Sequence, residues 1–175
     1  MRSSAELDGL LCKGTILSSA FPSLRKTGFP ILSAIDYTGV YPEQSLYFLF
    51  DPQQSHALEY VLSILNSRLF QYVFWEWMAT NRDATPQLKK VHLDNFRMRR
   101  IDFATPADKH RHDRLVSLVE RMLTFQKQLA AAKTAHEKTT IQRQIDATDA
   151  QIDQLVYELY DLSADEIKIV EGGAK

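Results

Sequence analysis

The chain has 175 residues and a nearly balanced charge, with 21 Lys and Arg against 22 Asp and Glu for a formal net charge of −1. At 45% hydrophobic and 25% charged residues the composition is that of a globular protein, and no overall field of either sign points to nucleic acid or membrane. The single Cys12 excludes a disulfide framework and a cysteine zinc cluster, and no apolar run approaches the ~20 residues needed to span a bilayer. With no signal peptide at Met1, the expectation is a cytoplasmic protein.

Residues 1–54 have no helical period. Gly14, Pro22, Gly28, Pro30, Gly39, Pro42 and Pro52 break them into short β-favouring runs at Thr15–Leu17, Pro30–Tyr37 and Leu46–Phe50. These runs predict a small mixed sheet, with the aromatic-rich run at 45–50 as a central strand. The abrupt start at Met1 reads as that of a fragment from a longer protein. Past Asp51-Pro52, Ser55 is placed to cap a helix carrying Leu58, Leu62, Leu65, Leu69, Val73 and Trp77 at helical spacing. Apolar residues cover so much of this helix that it reads as a buried element. Its aromatic stripe, Phe70, Phe74, Trp75 and Trp77, could stack on bases but is read as core.

Charge is segregated around this helix. Residues 36–81 carry a net charge of −4, and residues 82–105 a net charge of +3. The basic residues are Arg82, Lys89, Lys90, Arg97, Arg99 and Arg100, set in a loop and a following extended stretch. The next helix opens with Thr105 as N-cap and Pro106 at the first position. Its apolar residues Leu115, Leu118, Met122, Phe125 and Leu129 step by three and four. A second stripe follows at Ile141, Ile145, Ile152, Leu155 and Leu159, with Thr148 in the gap. Two such helices joined across 133–138 predict an antiparallel hairpin packed like a coiled coil. Ser163 and Glu166 form a capping box that opens a short last helix, ended by Gly172-Gly173. The fold class is α+β: a small mixed sheet with a buried helix, then a long hairpin and a C-terminal helix.

Two blocks carry a family resemblance. One is Ile64-Leu65-Asn66-Ser67-Arg68-Leu69-Phe70. The other runs from Asp149 to Glu171 and includes Ile152-Asp153 and Leu155-Val156-Tyr157-Glu158-Leu159-Tyr160. Together with Lys89-Lys90 and Leu93 between them, they resemble the TaqI-like C-terminal specificity domain of bacterial restriction-modification enzymes over residues 45–171. The family usually has glycine where this chain has Asp161, and a Leu-Pro-Ile strand where it has Phe96–Ile101 without proline.

The resemblance implies that the chain is the non-catalytic DNA target-recognition part of an adenine methyltransferase or a fused restriction-methylation enzyme. Residues 1–104 would belong to the recognition domain, and 105–175 to the hairpin that docks it on the catalytic domain. Expected partners are double-stranded DNA and that domain, and the hairpin also offers a surface for self-association. Candidate DNA-binding residues are Arg82, Lys89, Lys90, Arg97, Arg99 and Arg100, with Arg25 and Lys26 second. Arg97, Arg99 and Arg100 are the better candidates for reading bases, because arginine bidentate to guanine is the commonest direct contact. The rival reading is a coiled-coil assembly module without DNA contact.

No catalytic machinery is legible. Neither Asn66, Asn81 nor Asn95 precedes proline, as an adenine methylase loop requires, and no Gly-x-Gly turn offers a place for S-adenosylmethionine. That cofactor is expected in the parent's catalytic domain. Glu166-Ile167-Lys168 matches half of a nuclease motif, but the capping box explains Glu166. Asp146, Asp149 and Asp153 share a helix face that reads as solvated and near basic partners of the other hairpin helix. His110 and His112 diverge on their helix. Catalytic and metal sites are therefore expected to be absent.

Overall fold

The computed structural model describes residues 15–20, 31–36, 47–49, 57–78 and 89–173. Three strands come first: β1 (Thr15–Ala20), β2 (Ile31–Asp36) and β3 (Tyr47–Leu49). They form one sheet in the order β2-β1-β3. Thr15 pairs with Asp36 and Ala20 with Ile31, while Ile16 pairs with Leu49 and Ser18 with Tyr47. Both pairings are antiparallel, so among the described residues the sheet is not mixed as expected. Among the described residues the aromatic strand β3 lies at an edge of this sheet, and β1 is its centre. Strand propensity measures fit to a pleated, half-buried surface and does not order the strands.

The expected long helix is in fact two. α1 spans Leu58–Leu65 and α2 spans Arg68–Val73. The chain breaks between them because Asn66 and Ser67 find better partners than a continuing helix. The Asn66 side-chain amide donates to the Ser33 carbonyl at 2.9 Å and accepts from the Ser33 N–H at 2.8 Å, which fastens the end of α1 to β2. Ser67 is extended (φ −68°, ψ 154°), and its hydroxyl accepts from the Phe70 N–H at 3.3 Å as the N-cap of α2. The helix begins at Leu58 after Ala57, and the proposed cap Ser55 lies outside the described residues.

After Val73 the helix widens into a π turn, Phe74–Met78. Phe70 and Phe74 are fully buried, as the stripe predicted, but Trp77 is 82% exposed and is not core. Wider spacing per turn rotates a side chain away from the face that α-helical geometry would give it. The remaining helices are α3 (Lys90–Asn95), α4 (Pro106–Ala131), α5 (Ala135–Leu159) and α6 (Ala164–Gly173).

α4 and α5 form the expected hairpin, each ~38 Å long at ~1.5 Å per residue. Leu115, Leu118, Ile145, Thr148, Ile152 and Leu159 are buried, so both stripes face inward. The connection is shorter than expected. Thr134 caps α5, its hydroxyl accepting from the Glu137 N–H at 3.2 Å while Glu137 accepts from the Thr134 N–H at 3.1 Å. Thr105 occupies the N-cap of α4 but does not cap it. Its hydroxyl instead donates to the Asp102 carboxylate at 2.9 Å.

α5 ends in a Schellman turn. Leu162 N–H donates to the Tyr157 carbonyl at 3.0 Å and Asp161 N–H to the Glu158 carbonyl at 3.3 Å. Asp161 takes the left-handed conformation this turn demands, φ 54°. The capping box of α6 forms as expected, the Ser163 N–H donating to Glu166 at 2.8 Å. One buried cluster joins Tyr60, Leu65 and Phe70 to Leu115, Leu118, Val156 and Tyr157. The hairpin base therefore shares its core with α1 and α2. Among the described residues no helix is long and apolar enough to cross a membrane.

Candidate nucleic-acid interface

Between α3 and α4 the chain leaves the helix at an extended Phe96 (φ −72°, ψ 122°) and runs outside helix and strand through Phe96-Arg97-Met98-Arg99-Arg100-Ile101. Its apolar members point inward. Phe96 meets Phe70 edge to face at 4.6 Å between ring centroids, Met98 packs against the core, and Ile101 is buried. Arg97, Arg99 and Arg100 are exposed. Inward and exposed residues alternate from Phe96 to Arg99, and Arg100 is exposed beside Arg99, so the segment has an anchored apolar side and a cationic outer side.

Two tyrosines hold this segment by its backbone. Tyr60 of α1 donates its hydroxyl to the Arg99 carbonyl at 2.6 Å. Tyr160, at the end of α5, donates to the Arg97 carbonyl at 3.1 Å and accepts from the Arg99 N–H at 3.2 Å. Burial pushes both phenols above the ordinary tyrosine range. They therefore remain protonated, as donation requires. The Arg99 guanidinium stands 3.8 Å from Asp161, an exposed pair of little energetic weight.

α3 leads into the arginine segment. Its start is tied by two hydrogen bonds, the Lys89 N–H donating to the His92 side chain at Nδ1 at 3.1 Å and the His92 N–H to the Lys89 carbonyl at 2.9 Å. His92 is buried edge to face against Phe74, and burial lowers its pKa, with Lys89 adding to the effect. Lys89 is exposed, and Lys90 is the first residue of α3. Of the eight cationic candidates, Lys89, Lys90, Arg97, Arg99 and Arg100 fall on this one helix and its continuation. Arg82, Arg25 and Lys26 lie outside the described residues.

The platform under the segment is locked by a pair that sequence reasoning missed. Asp153 of α5 accepts from the Arg68 backbone N–H at 2.9 Å and stands 3.2 Å from the Arg68 Nε. Asp153 is 5% exposed, and burial drives its carboxyl up from 3.8 to about 6 although Arg68 opposes the shift. Asp149 is raised in the same way. The acidic triplet is thus no uniformly solvated face. Asp146 is exposed and accepts from Gln142 at 2.8 Å, while Asp153 is buried and paired with α2 rather than with the other hairpin helix. Among the described residues no cluster of His, Cys, Asp and Glu is arranged to hold a metal. His110 is exposed, whereas His112 is buried, its ring 5.2 Å from that of Tyr60 and 5.0 Å from that of Phe103.

The signal for these contacts lay in the polar letters of the two blocks. Asn66, Ser67 and Arg68 of the first each make a bond that the fold depends on. Asp153 and Tyr160 of the second receive Arg68 and the arginine segment.

The fold and site together define a helical scaffold presenting a fixed basic segment. Residues 23–97 match the family of the TaqI-like C-terminal specificity domain, which bears out the resemblance read from the residues. The match takes in the first block, Lys89, Lys90 and Arg97. Arg99, Arg100 and the hairpin lie beyond it. No curated protein and no solved structure matches the chain.

Proposed function

We propose that this chain is the DNA target-recognition module of a restriction-modification enzyme, a site-specific adenine methyltransferase or a fused restriction-methylation protein. Residues 1–104 serve recognition. Residues 105–175 form the hairpin that carries the module on the catalytic domain, which supplies S-adenosylmethionine and the chemistry. The observation that carries this reading is the arginine segment. Arg97, Arg99 and Arg100 stand exposed on a backbone held by Tyr60 and Tyr160, Arg97 as the last residue of a segment matching a specificity domain and the other two just past it. Lysines and arginines clamp phosphates, and arginines among them reach base edges.

The test is fluorescence anisotropy on a mixed-sequence duplex over a salt series. Non-specific binding is expected near the weak end of ~10⁻⁴–10⁻⁶ M, with about −0.9 in the slope of log affinity against log salt per phosphate contact. Replacing Arg97, Arg99 and Arg100 by alanine flattens the slope by up to ~2.7, and replacing Lys89 and Lys90 by up to ~1.8. Binding with no salt dependence, or a slope indifferent to all five, refutes the reading and leaves an assembly role for the hairpin.

A further inference from the structure

We propose that Tyr60 and Tyr160 are positioning residues for DNA contact, their hydroxyls setting the backbone from which Arg97 and Arg99 reach the nucleic acid. This rests on the DNA reading above and goes beyond it, because neither tyrosine need touch DNA.

The geometry is that of a missing strand. In a parallel ladder one residue of the neighbour bonds the carbonyl of residue i and the N–H of residue i+2. Tyr160 does this with a single atom, donating to the Arg97 carbonyl at 3.1 Å and accepting from the Arg99 N–H at 3.2 Å. A phenol hydroxyl has the donor and acceptor this requires. Tyr60 takes the next group, the Arg99 carbonyl, at 2.6 Å. Three consecutive polar groups on one side of the segment are thus met by side chains from α1 and from the end of α5.

An exposed segment could leave those groups to water. Holding them instead fixes the backbone angles at Arg97, Met98 and Arg99 before any ligand arrives. Ordering cost on binding falls accordingly, since the backbone is restrained and only the side chains remain to be immobilised. The anchors on the apolar side, Phe96 on Phe70 and buried Ile101, prevent the segment from rolling. Tyr60 and Tyr160 therefore govern where two guanidinium groups start from.

The experiment uses the full chain and a mixed-sequence duplex. Affinity is measured across salt for the unaltered chain, Tyr160→Phe, the double variant Arg97→Ala/Arg99→Ala, and all three changes together. Tyr160→Phe is expected to weaken binding about 3- to 10-fold and to flatten the salt slope by up to ~0.9 for each phosphate that an arginine no longer reaches. In the chain lacking both arginines, Tyr160→Phe should change neither affinity nor slope, because interacting groups are not additive. Tyr60→Phe should show the same pattern, and it stands in if Tyr160→Phe does not fold. Amide exchange at Arg99 in the unaltered chain, expected to be slow, needs no variant at all. An equal loss from Tyr160→Phe with and without the arginines indicates a purely structural role and overturns the inference. So does exchange at Arg99 as fast as in a free peptide, or unchanged binding by both phenylalanine variants while the arginine variant binds poorly. If the arginine variant itself binds like the unaltered chain, Arg97 and Arg99 do not contact DNA and the inference fails, while the DNA reading stands or falls on all five cations together.

Discussion

Replacing Arg68 by alanine removes a guanidinium from a buried carboxyl and leaves in place the backbone N–H that donates to Asp153 at 2.9 Å. A buried charge stripped of its partner commonly costs ~3–5 kcal/mol. Here the cost is capped, because Asp153 can bind a proton instead. Burial has already raised its carboxyl to about 6. At ~1.36 kcal/mol per pH unit, its ionised form at pH 7.5 lies only about 2 kcal/mol below the protonated one. Arg68→Ala should therefore cost at most about 2 kcal/mol through the charge at pH 7.5, plus roughly 1 kcal/mol for the missing side-chain hydrogen bond and packing. At pH 5 the carboxyl is mostly protonated with or without Arg68, and only the residual ~1 kcal/mol should remain. The sign follows from linkage. A carboxyl raised in the folded state contributes stability that is full below about pH 4 and is lost as pH rises through about 6. Urea unfolding of both proteins at pH 5 and pH 7.5 measures the difference. An equal cost at the two values, or one above ~4 kcal/mol at pH 7.5, would refute the argument that proton uptake limits the damage.

Leu118 is 1% exposed where α4 meets the shared core, so Leu118→Ala should cost ~2–5 kcal/mol, and an unchanged urea midpoint would contradict the hairpin packing. Asp161 sits at φ 54°, and its partner Arg99 is 3.8 Å away and exposed, so Asp161→Gly should raise stability by about 0.5–1 kcal/mol in thermal unfolding. A loss of stability there would mean the ion pair outweighs the backbone. Trp77 is 82% exposed beside the buried Phe74, so Trp77→Ala should move stability by no more than ~0.5 kcal/mol and remove the more red-shifted part of the tryptophan emission. A cost of several kcal/mol would restore Trp77 to the core.

Much of the scaffold was legible in the residues, because helix periodicity and capping are local. Heptad spacing marked the buried faces of α4 and α5, and Ser163 and Glu166 marked the start of α6. The same local rules failed where a distant partner decided. An unbroken apolar period ran through Asn66 and Ser67, yet the chain turns there because Asn66 finds Ser33 on β2. Trp77 continued the stripe of Phe70 and Phe74, and the π turn put it in solvent.

Composition and spacing by themselves determined that this chain carries an amphipathic hairpin, a cluster of cations around residues 82–105, and two motif blocks. They did so because burial of apolar faces and local hydrogen bonds are written at intervals of a few residues. What the blocks do for each other was decided only in three dimensions. Arg68 of the first meets Asp153 of the second, and Tyr60 and Tyr160 close on the backbone of Arg97 and Arg99. Those pairings join residues far apart in the chain, and no local period encodes them. They exist because the shared core brings α1, α2 and the base of the hairpin together, and polar groups carried into that core must find partners there.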